Sequence, residues 1–149
     1  MIRWIDKNLG GSKAPELDEL KLWKEQNVNL VINLLEGSYG KFLFEKQKEF
    51  FETIHYPLGM YTEIEIDEII PIYDYISQKI KENKKVVIHC KLGISRSGTF
   101  LAGYLVYSGI PYEKALDKVI SKRFFPETST QIKFLKNLSN WVKNGKHQF

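Results

Sequence analysis

The sequence has 149 residues, of which 43% are hydrophobic and 27% charged, and it carries a net charge of +4 at pH 7. This length and composition predict one globular domain, residues 1–149, whose core needs neither a disulfide nor a metal ion. The single cysteine excludes an internal disulfide and a cysteine-rich metal site. The chain has no run of about 20 apolar residues, the length needed to cross a membrane, and its charged N-terminus is unlike a secretory signal. We therefore expect a soluble cytoplasmic protein.

The first third of the chain predicts a strand, a turn, a helix and a second strand. Residues 2–5 (IRWI) form the short first strand, and the glycine pair within residues 8–12 (NLGGS) indicates a turn. Apolar residues recur at helical spacing over residues 15–26, where Pro15 suits the first turn of a helix. Residues 28–35 (VNLVINLL) are a continuous apolar run, which predicts a buried strand.

The middle of the chain predicts an amphipathic helix, or a helical turn with a frayed end, over residues 41–52 and a short strand over residues 53–57. A long helix follows, because isoleucine and tyrosine side chains recur on one helical face up to residue 80. Two positions for the start of this long helix stay open.

The first position for that helix start is near Glu63, because Thr62 and Glu65 fit a capping box. The second is near Pro71, because proline is tolerated in the first turn of a helix but kinks or breaks a helix interior. In the second case the residues before Pro71 form a loop.

The last third predicts a strand over residues 86–89 and helices over residues 97–107, 111–123 and 131–144. Gly109 suits the C-terminal end of the first of these helices. Strands separated by helices indicate an α/β fold with a central, mostly parallel sheet flanked by helices.

The only cysteine, Cys90, follows the strand over residues 86–89 and opens a loop that leads into the next helix. In open α/β sheets, ligands bind beyond the carboxyl ends of strands, where loop N–H groups and a helix N-terminus hold anions. Gly93 lets this loop wrap closely, and the guanidinium of Arg96 can bind two phosphate oxygens at once. We call residues 90–96 the phosphate loop. Such electropositive surroundings lower the pKa of a cysteine, so the pattern predicts a thiolate that attacks phosphorus and forms a covalent thiophosphate.

The pattern H-C-x-x-G-x-x-R-S runs from His89 to Ser97. It resembles the signature of the cysteine-dependent protein tyrosine phosphatases. The alternative is a buried structural cysteine, but a histidine, a glycine, an arginine and a hydroxyl residue would rarely occur by chance at these offsets from a structural cysteine. The small size resembles the dual-specificity branch and the small archaeal enzymes, as do the segments NLGGS, HYP and ETSTQIKFL. The resemblance implies a phosphatase-type strand, phosphate loop and helix, acting without a metal or other cofactor.

The resemblance also implies a role for each matched residue. Cys90 resembles the nucleophile, Arg96 the phosphate clamp, and Ser97 the hydroxyl that assists departure of the sulfur. His89 resembles the residue that orients the loop, not a general base. The residues whose backbone N–H groups would bind phosphate, together with Arg96, are Lys91, Leu92, Gly93, Ile94 and Ser95.

The proton donor of this family is missing from its usual place. The family's aspartate comes three positions after the proline of HYP, and that position here is Met60, which cannot donate a proton. Glu63 is the first alternative and Asp67 the second, while the third reading is that no dedicated acid exists, because acidic residues also favour the first turn of a helix. Gln131 resembles the glutamine that positions the attacking water, or is simply a polar residue of a first helical turn.

We therefore expect a phosphatase that hydrolyses phosphotyrosine in proteins or peptides, with phosphoserine and phosphothreonine as further candidate substrates. The residue at position 60 leaves open an RNA or nucleotide 5′-triphosphatase, whose leaving group needs little proton donation, and a phosphoinositide phosphatase. The alternative from another class is a phosphoprotein-binding module with weak turnover. We expect a monomer that binds no membrane, and nucleic acid only as triphosphate-ended RNA.

Overall fold

The structure is a computed structural model that describes residues 1–145. Within these residues the strands are β1 (Arg3–Trp4), β2 (Leu9–Ser12), β3 (Val28–Asn33), β4 (Glu52–His55) and β5 (Lys85–His89). The helices are α1 (Glu19–Glu25), α2 (Gly37–Gln47), α3 (Ile66–Lys81), α4 (Ser95–Tyr107), α5 (Tyr112–Ser121) and α6 (Ser129–Lys143).

The strands form one sheet in the order β1-β2-β5-β3-β4. β1 is antiparallel to β2, and every other neighbouring pair is parallel. His89, the last residue of β5, pairs with Ser12 on one side and with Asn33 on the other, so three strands end at the same edge. The predicted α/β fold with a mostly parallel sheet is confirmed, and the residues that follow these strands meet at one edge.

The sheet is buried on both faces because side chains of its central strands alternate between two cores. Val86 and Ile88 join the larger core, whereas Val87 joins a smaller one that contains Trp23 of α1. Helix α4 is buried from Ser95 to Val106. The helix that carries the end of the phosphate loop therefore runs through the larger core.

The turn predicted over residues 8–12 is wrong, because residues 9–12 form β2. A Cβ at Gly10 would lie 2.8 Å from the ring of Trp4, and one at Gly11 would lie 2.7 Å from the ring of Phe124. The glycine pair makes room for large side chains on both faces of a strand, whereas sequence reasoning took it as a sign of a turn.

The helix predicted over residues 41–52 lies earlier, at Gly37–Gln47. Its first turn contains Gly40, where a Cβ would lie only 1.9 Å from the carbonyl oxygen of Leu35. Gly40 thus permits the turn to pack on the end of β3. Gly37 and Gly40 are thus part of the helix.

Helix α3 begins at Ile66, between the two predicted starts. The capping box expected from Thr62 and Glu65 does not form, since Thr62 Oγ1 accepts a hydrogen bond from the N–H of Gly59 instead. Pro71 lies inside the helix, in its second turn.

The C-terminal helices begin slightly earlier than predicted, α4 at Ser95 and α6 at Ser129. Thr128 and Gln131 form a capping box at the start of α6. Gly109 follows α4 with φ of +105°, as its predicted role at the helix end requires. No helix in the described part of the chain is long and apolar enough to span a membrane.

Candidate active site

Cys90 lies directly beyond the carboxyl end of β5, at the base of the phosphate loop, and is 2% exposed. Its Sγ accepts hydrogen bonds from the N–H of Gly93 at 3.3 Å and from Oγ of Ser97 at 3.1 Å. Both donors stabilise negative charge on the sulfur. Ser97, predicted to assist departure of the sulfur, is thus placed on it.

Gly93 is required at its position for two reasons. Its φ of +73° lies in the left-handed region, and a Cβ would lie 2.3 Å from the backbone nitrogen of Lys13. The phosphate loop therefore packs against the chain just after β2.

The carbonyl groups of the phosphate loop have partners outside its concave side. The Lys91 carbonyl accepts from the N–H of Ala14 at 3.0 Å, and the Ile94 carbonyl accepts from the N–H of Phe125 at 3.0 Å. Within residues 1–145, the N–H groups of Lys91, Leu92, Ile94 and Ser95 have no protein acceptor. The loop therefore presents a set of N–H donors of the kind that binds anions.

The side chains of the loop divide between its two sides. Leu92 is 69% exposed and Ile94 is 36% exposed, while Ser95 and Arg96 are buried. The exposed pair faces solvent beside the mouth of the site, and the buried pair belongs to the first turn of α4.

Arg96 is only 7% exposed, and one nitrogen of its guanidinium is held by two acceptors. Nη1 donates to Oε1 of Glu36 at 2.5 Å and to the carbonyl of Leu58 at 2.9 Å. Nε is buried and has no acceptor within the described residues. A bound phosphate would supply that acceptor, so the orientation suits the predicted clamp.

Glu36 is a site residue that sequence reasoning missed. It precedes α2, and its side chain is 48% exposed beside Arg96. Partial burial raises the pKa of Glu36, but its own backbone N–H, Arg96 and Lys91 together lower it below the usual value, so the carboxylate is ionised at neutral pH. Its position just after β3 was the available signal, because β3 and β5 are parallel neighbours and residues after their carboxyl ends adjoin.

His89 belongs to a buried chain of hydrogen bonds that leads to the phosphate loop. Asn33 Nδ2 donates to Oε1 of Gln47 at 3.1 Å, and Nε2 of Gln47 donates to Nε2 of His89 at 2.7 Å. Nδ1 of His89 then donates to the Cys90 carbonyl at 3.2 Å. Burial lowers the pKa of His89 to about 4, so the ring is neutral at pH 7. This geometry suits loop orientation rather than proton transfer.

Gln131 connects α6, the phosphate loop and the segment that contains Met60. Its Oε1 accepts from Oγ of Ser95 at 2.7 Å and from the N–H groups of Glu127 and Thr128 at 2.8 and 3.1 Å. Its Nε2 donates to the carbonyl of Met60 at 3.4 Å. These contacts agree with the interpretation of Gln131 as a polar residue of the first helical turn. Positioning of water by its amide stays a prediction.

The two carboxylates proposed as acids lie apart from these contacts. Glu63 and Asp67 are exposed and line a cavity of about 230 Å³ with Thr130, Lys133 and Asn137. Cys90 and Arg96 are not among its lining residues. A role of either carboxylate as proton donor stays a prediction.

Comparison with known proteins agrees with this geometry. The family model described as the dual specificity phosphatase catalytic domain matches residues 11–144. A predicted tyrosine-protein phosphatase of Amsacta moorei entomopoxvirus is 32% identical over 124 residues, which are 79% of this chain and 72% of that protein. The crystal structure of Tk-PTP in the active form is similar with a TM-score of 0.85 and 30% identity, over 93% of this chain and 96% of that one.

A human tyrosine phosphatase-like serine/threonine/tyrosine-interacting protein is similar in fold only, with a TM-score of 0.82 at 17% identity, over 95% of this chain and 97% of that one.

Within the described residues, no group of three or more histidine, cysteine, aspartate or glutamate side chains could hold a metal ion.

Proposed function

This chain belongs to the dual specificity phosphatase family and is a phosphatase, and we propose that it hydrolyses phosphotyrosine in proteins, together with phosphoserine and phosphothreonine, through a cysteinyl-phosphate intermediate. The observation that carries the proposal is the surroundings of Cys90. Its sulfur lies beneath unpaired loop N–H groups, accepts two hydrogen bonds, and is joined at the site by a buried Arg96 with a free Nε–H. These are the parts that phosphoryl transfer to sulfur requires.

In the first step, the Cys90 thiolate attacks phosphorus. An S–P bond forms while the P–O bond to the substrate side chain breaks, and the electron pair of that bond goes to the leaving oxygen, which takes up a proton. The loop N–H groups and Arg96 bind the three other oxygens, where negative charge is concentrated in the transition state. In this step the protein therefore contributes chiefly the nucleophile, the position and the charge.

In the second step, water attacks phosphorus and the S–P bond breaks, returning its electron pair to Sγ. The hydroxyl of Ser97, 3.1 Å from that sulfur, stabilises the thiolate as it departs. Gln131 is proposed to position the water, because its Nε2 carries a second N–H besides the one that donates to Met60.

The donor of the first proton is proposed to be Glu63, or Asp67 as the second choice, and otherwise the solvent. Glu36, the carboxylate beside Arg96, is a poor donor because its lowered pKa keeps it ionised at neutral pH. The test compares Glu63→Gln with Asp67→Asn on two substrates. The true acid is the one whose loss lowers kcat on a phosphotyrosine peptide much more than on p-nitrophenyl phosphate, since p-nitrophenolate leaves without help. Equal effects on both substrates would rule that residue out.

The intermediate is tested by rapid acid quench with a phosphotyrosine peptide, followed by mass analysis of the peptide that contains Cys90. We expect one added phosphoryl group on Cys90, and none in Cys90→Ser, which should also lose turnover while keeping the wild-type melting temperature. Full activity in a folded Cys90→Ser variant would overturn the covalent route.

Protein substrates are favoured over the other candidates because the matching family model is that of dual specificity phosphatases and the entomopoxvirus relative is named a tyrosine-protein phosphatase. Release of phosphate from triphosphate-ended RNA or a phosphoinositide at a higher kcat/KM than from phosphotyrosine peptides would reverse this choice. We also propose that the chain acts as a monomer. Its proposed compartment is the cytoplasm, because a catalytic thiol must stay reduced. Sedimentation and fractionation test these two points.

A further inference from the structure

Arg3 of β1 contacts the phosphate loop from outside. Its Nη2 donates to the carbonyl of Gly93 through a short hydrogen bond, and also to the carbonyl of Arg123 at 3.4 Å. Its Nε donates to the carbonyl of Lys122 at 2.9 Å. The guanidinium lies over the ring of Phe124, 4.2 Å from the ring centre. One side chain thus joins β1, the segment after α5 and the phosphate loop.

The contact with Gly93 determines how a peptide group of the loop faces. In a trans peptide the C=O and the following N–H point in opposite directions. Because Arg3 binds the Gly93 carbonyl on the outer side, the N–H of Ile94 faces the inner side, where phosphate would bind. The N–H of Gly93 itself donates to Cys90 Sγ. Gly93 is therefore held by Arg3 on its carbonyl side and by Cys90 Sγ on its N–H side.

The residues just after β2 also pack against the phosphate loop. The N–H of Ala14 donates to the Lys91 carbonyl, and the nitrogen of Lys13 lies so close to Gly93 that no Cβ would fit. Arg3 adds a charge to this support. Partial burial and the neighbouring charge of Arg123 lower the pKa of Arg3, while Cys90 acts in the opposite direction.

We propose that Arg3 is a positioning residue of the phosphatase site, which holds the peptide between Gly93 and Ile94 with its N–H toward the bound phosphoryl group. The inference rests on the proposed function for its catalytic meaning, but the loop geometry it describes does not depend on turnover. Arg3 lies before residue 11, where the match to the family model begins, so this support comes from outside the matched segment.

The experiment compares Arg3→Met and Arg3→Lys with Lys122→Met. Lys122 is the matched control, because its side chain is an exposed cation beside the same contact and only its carbonyl accepts from Arg3. The measurements are the affinity for inorganic phosphate, kcat and KM for p-nitrophenyl phosphate, and the melting temperature. Binding is measured well below the melting temperature of each variant.

We expect Arg3→Met to weaken phosphate binding about tenfold and to lower kcat, since one oriented donor is lost from the site. Arg3→Lys should recover part of both, because an ammonium can still donate to the Gly93 carbonyl but lacks the planar set of donors. Lys122→Met should stay within about twofold of wild type, as expected for a surface charge.

A lower melting temperature in Arg3→Met with unchanged phosphate affinity would show that Arg3 only stabilises the fold, and would overturn the proposal. An equal loss in Lys122→Met would overturn it too, because a general charge effect would explain the data. If Arg3→Met does not fold, Arg3→Gln takes its place, because it removes the charge and shortens the side chain; wild-type phosphate affinity and kcat in Arg3→Gln would overturn the proposal. If phosphate binding depends on Arg3 but the wild-type protein hydrolyses no phosphate ester, the proposed function is refuted and this inference stands.

Discussion

Replacement of Ser97 by alanine tests the second chemical step. Oγ of Ser97 donates to Cys90 Sγ at 3.1 Å, and the side chain is 0% exposed, so water does not readily replace the hydroxyl. A hydrogen bond to a charged group contributes about 1.5–3 kcal/mol, and the lower figure applies because sulfur is a weak acceptor. About 1.5 kcal/mol corresponds to a roughly tenfold slower release of the thiolate from phosphorus.

The assay is stopped-flow turnover of p-nitrophenyl phosphate. Loss of the donor makes the Cys90 thiolate a better nucleophile and a worse leaving group, so Ser97→Ala should keep the first step and slow the second. We expect a burst of about one p-nitrophenolate per enzyme, followed by slow steady turnover, and phosphoenzyme that accumulates during that phase.

The matched control is Thr99→Val, which removes another fully buried hydroxyl of α4. Thr99 Oγ1 donates to the Ser95 carbonyl at 2.8 Å and does not contact the sulfur. It should show no burst. If Ser97→Ala shows no burst and a kcat within about twofold of wild type, or if Thr99→Val shows the same burst, the assigned role of the hydroxyl is wrong.

Three further predictions concern the supports of the site. Glu36→Gln removes a negative charge beside the phosphate site and leaves only a neutral, weaker acceptor for Arg96 Nη1. Steady-state kinetics should therefore show KM about threefold lower and kcat about tenfold lower; an unchanged kcat would contradict this. Gly93→Ala introduces the clash with Lys13 at a positive φ, so urea unfolding should show a loss of about 3 kcal/mol, and a loss below about 1 kcal/mol would mean that the loop relaxes freely. The pKa of His89 is about 4 in the folded state against 6.5 unfolded. The contribution of its neutral ring to the free energy of unfolding is therefore fully present above pH 6.5, and it falls by about 3 kcal/mol in all as the pH drops toward 4. Urea unfolding between pH 4 and 7 should show this slope in wild type and less of it in His89→Asn; equal slopes would contradict it.

Local sequence signals predicted the nucleophile and its loop. Cys90, Gly93 and Arg96 lie at fixed offsets between a β-branched run and a helix, so their chemistry can be read over a few residues. Thr128 and Gln131 form a capping box, which is a local signal of a helix start, but the predicted helix began at residue 131 instead of 129. Such features need no knowledge of the rest of the fold.

The supports of the site could not be predicted because they depend on contacts between distant segments. Arg3 and Gly93 are 90 residues apart, and Glu36 and Arg96 are 60 apart. β2 was missed for a related reason: its glycine pair is explained by Trp4 and Phe124, which pack on its two faces only in the folded protein.

The division of the phosphate loop into exposed and buried side chains has a consequence for engineering. Substitutions in α4 or at Arg96 would disturb the core and the chemistry together, because the same buried atoms serve both. Leu92 and Ile94 lie in the same loop with exposed side chains, and the backbone N–H groups of both belong to the proposed phosphate site. A library confined to these two positions would therefore vary what an incoming substrate meets at the entrance while leaving the reaction itself intact.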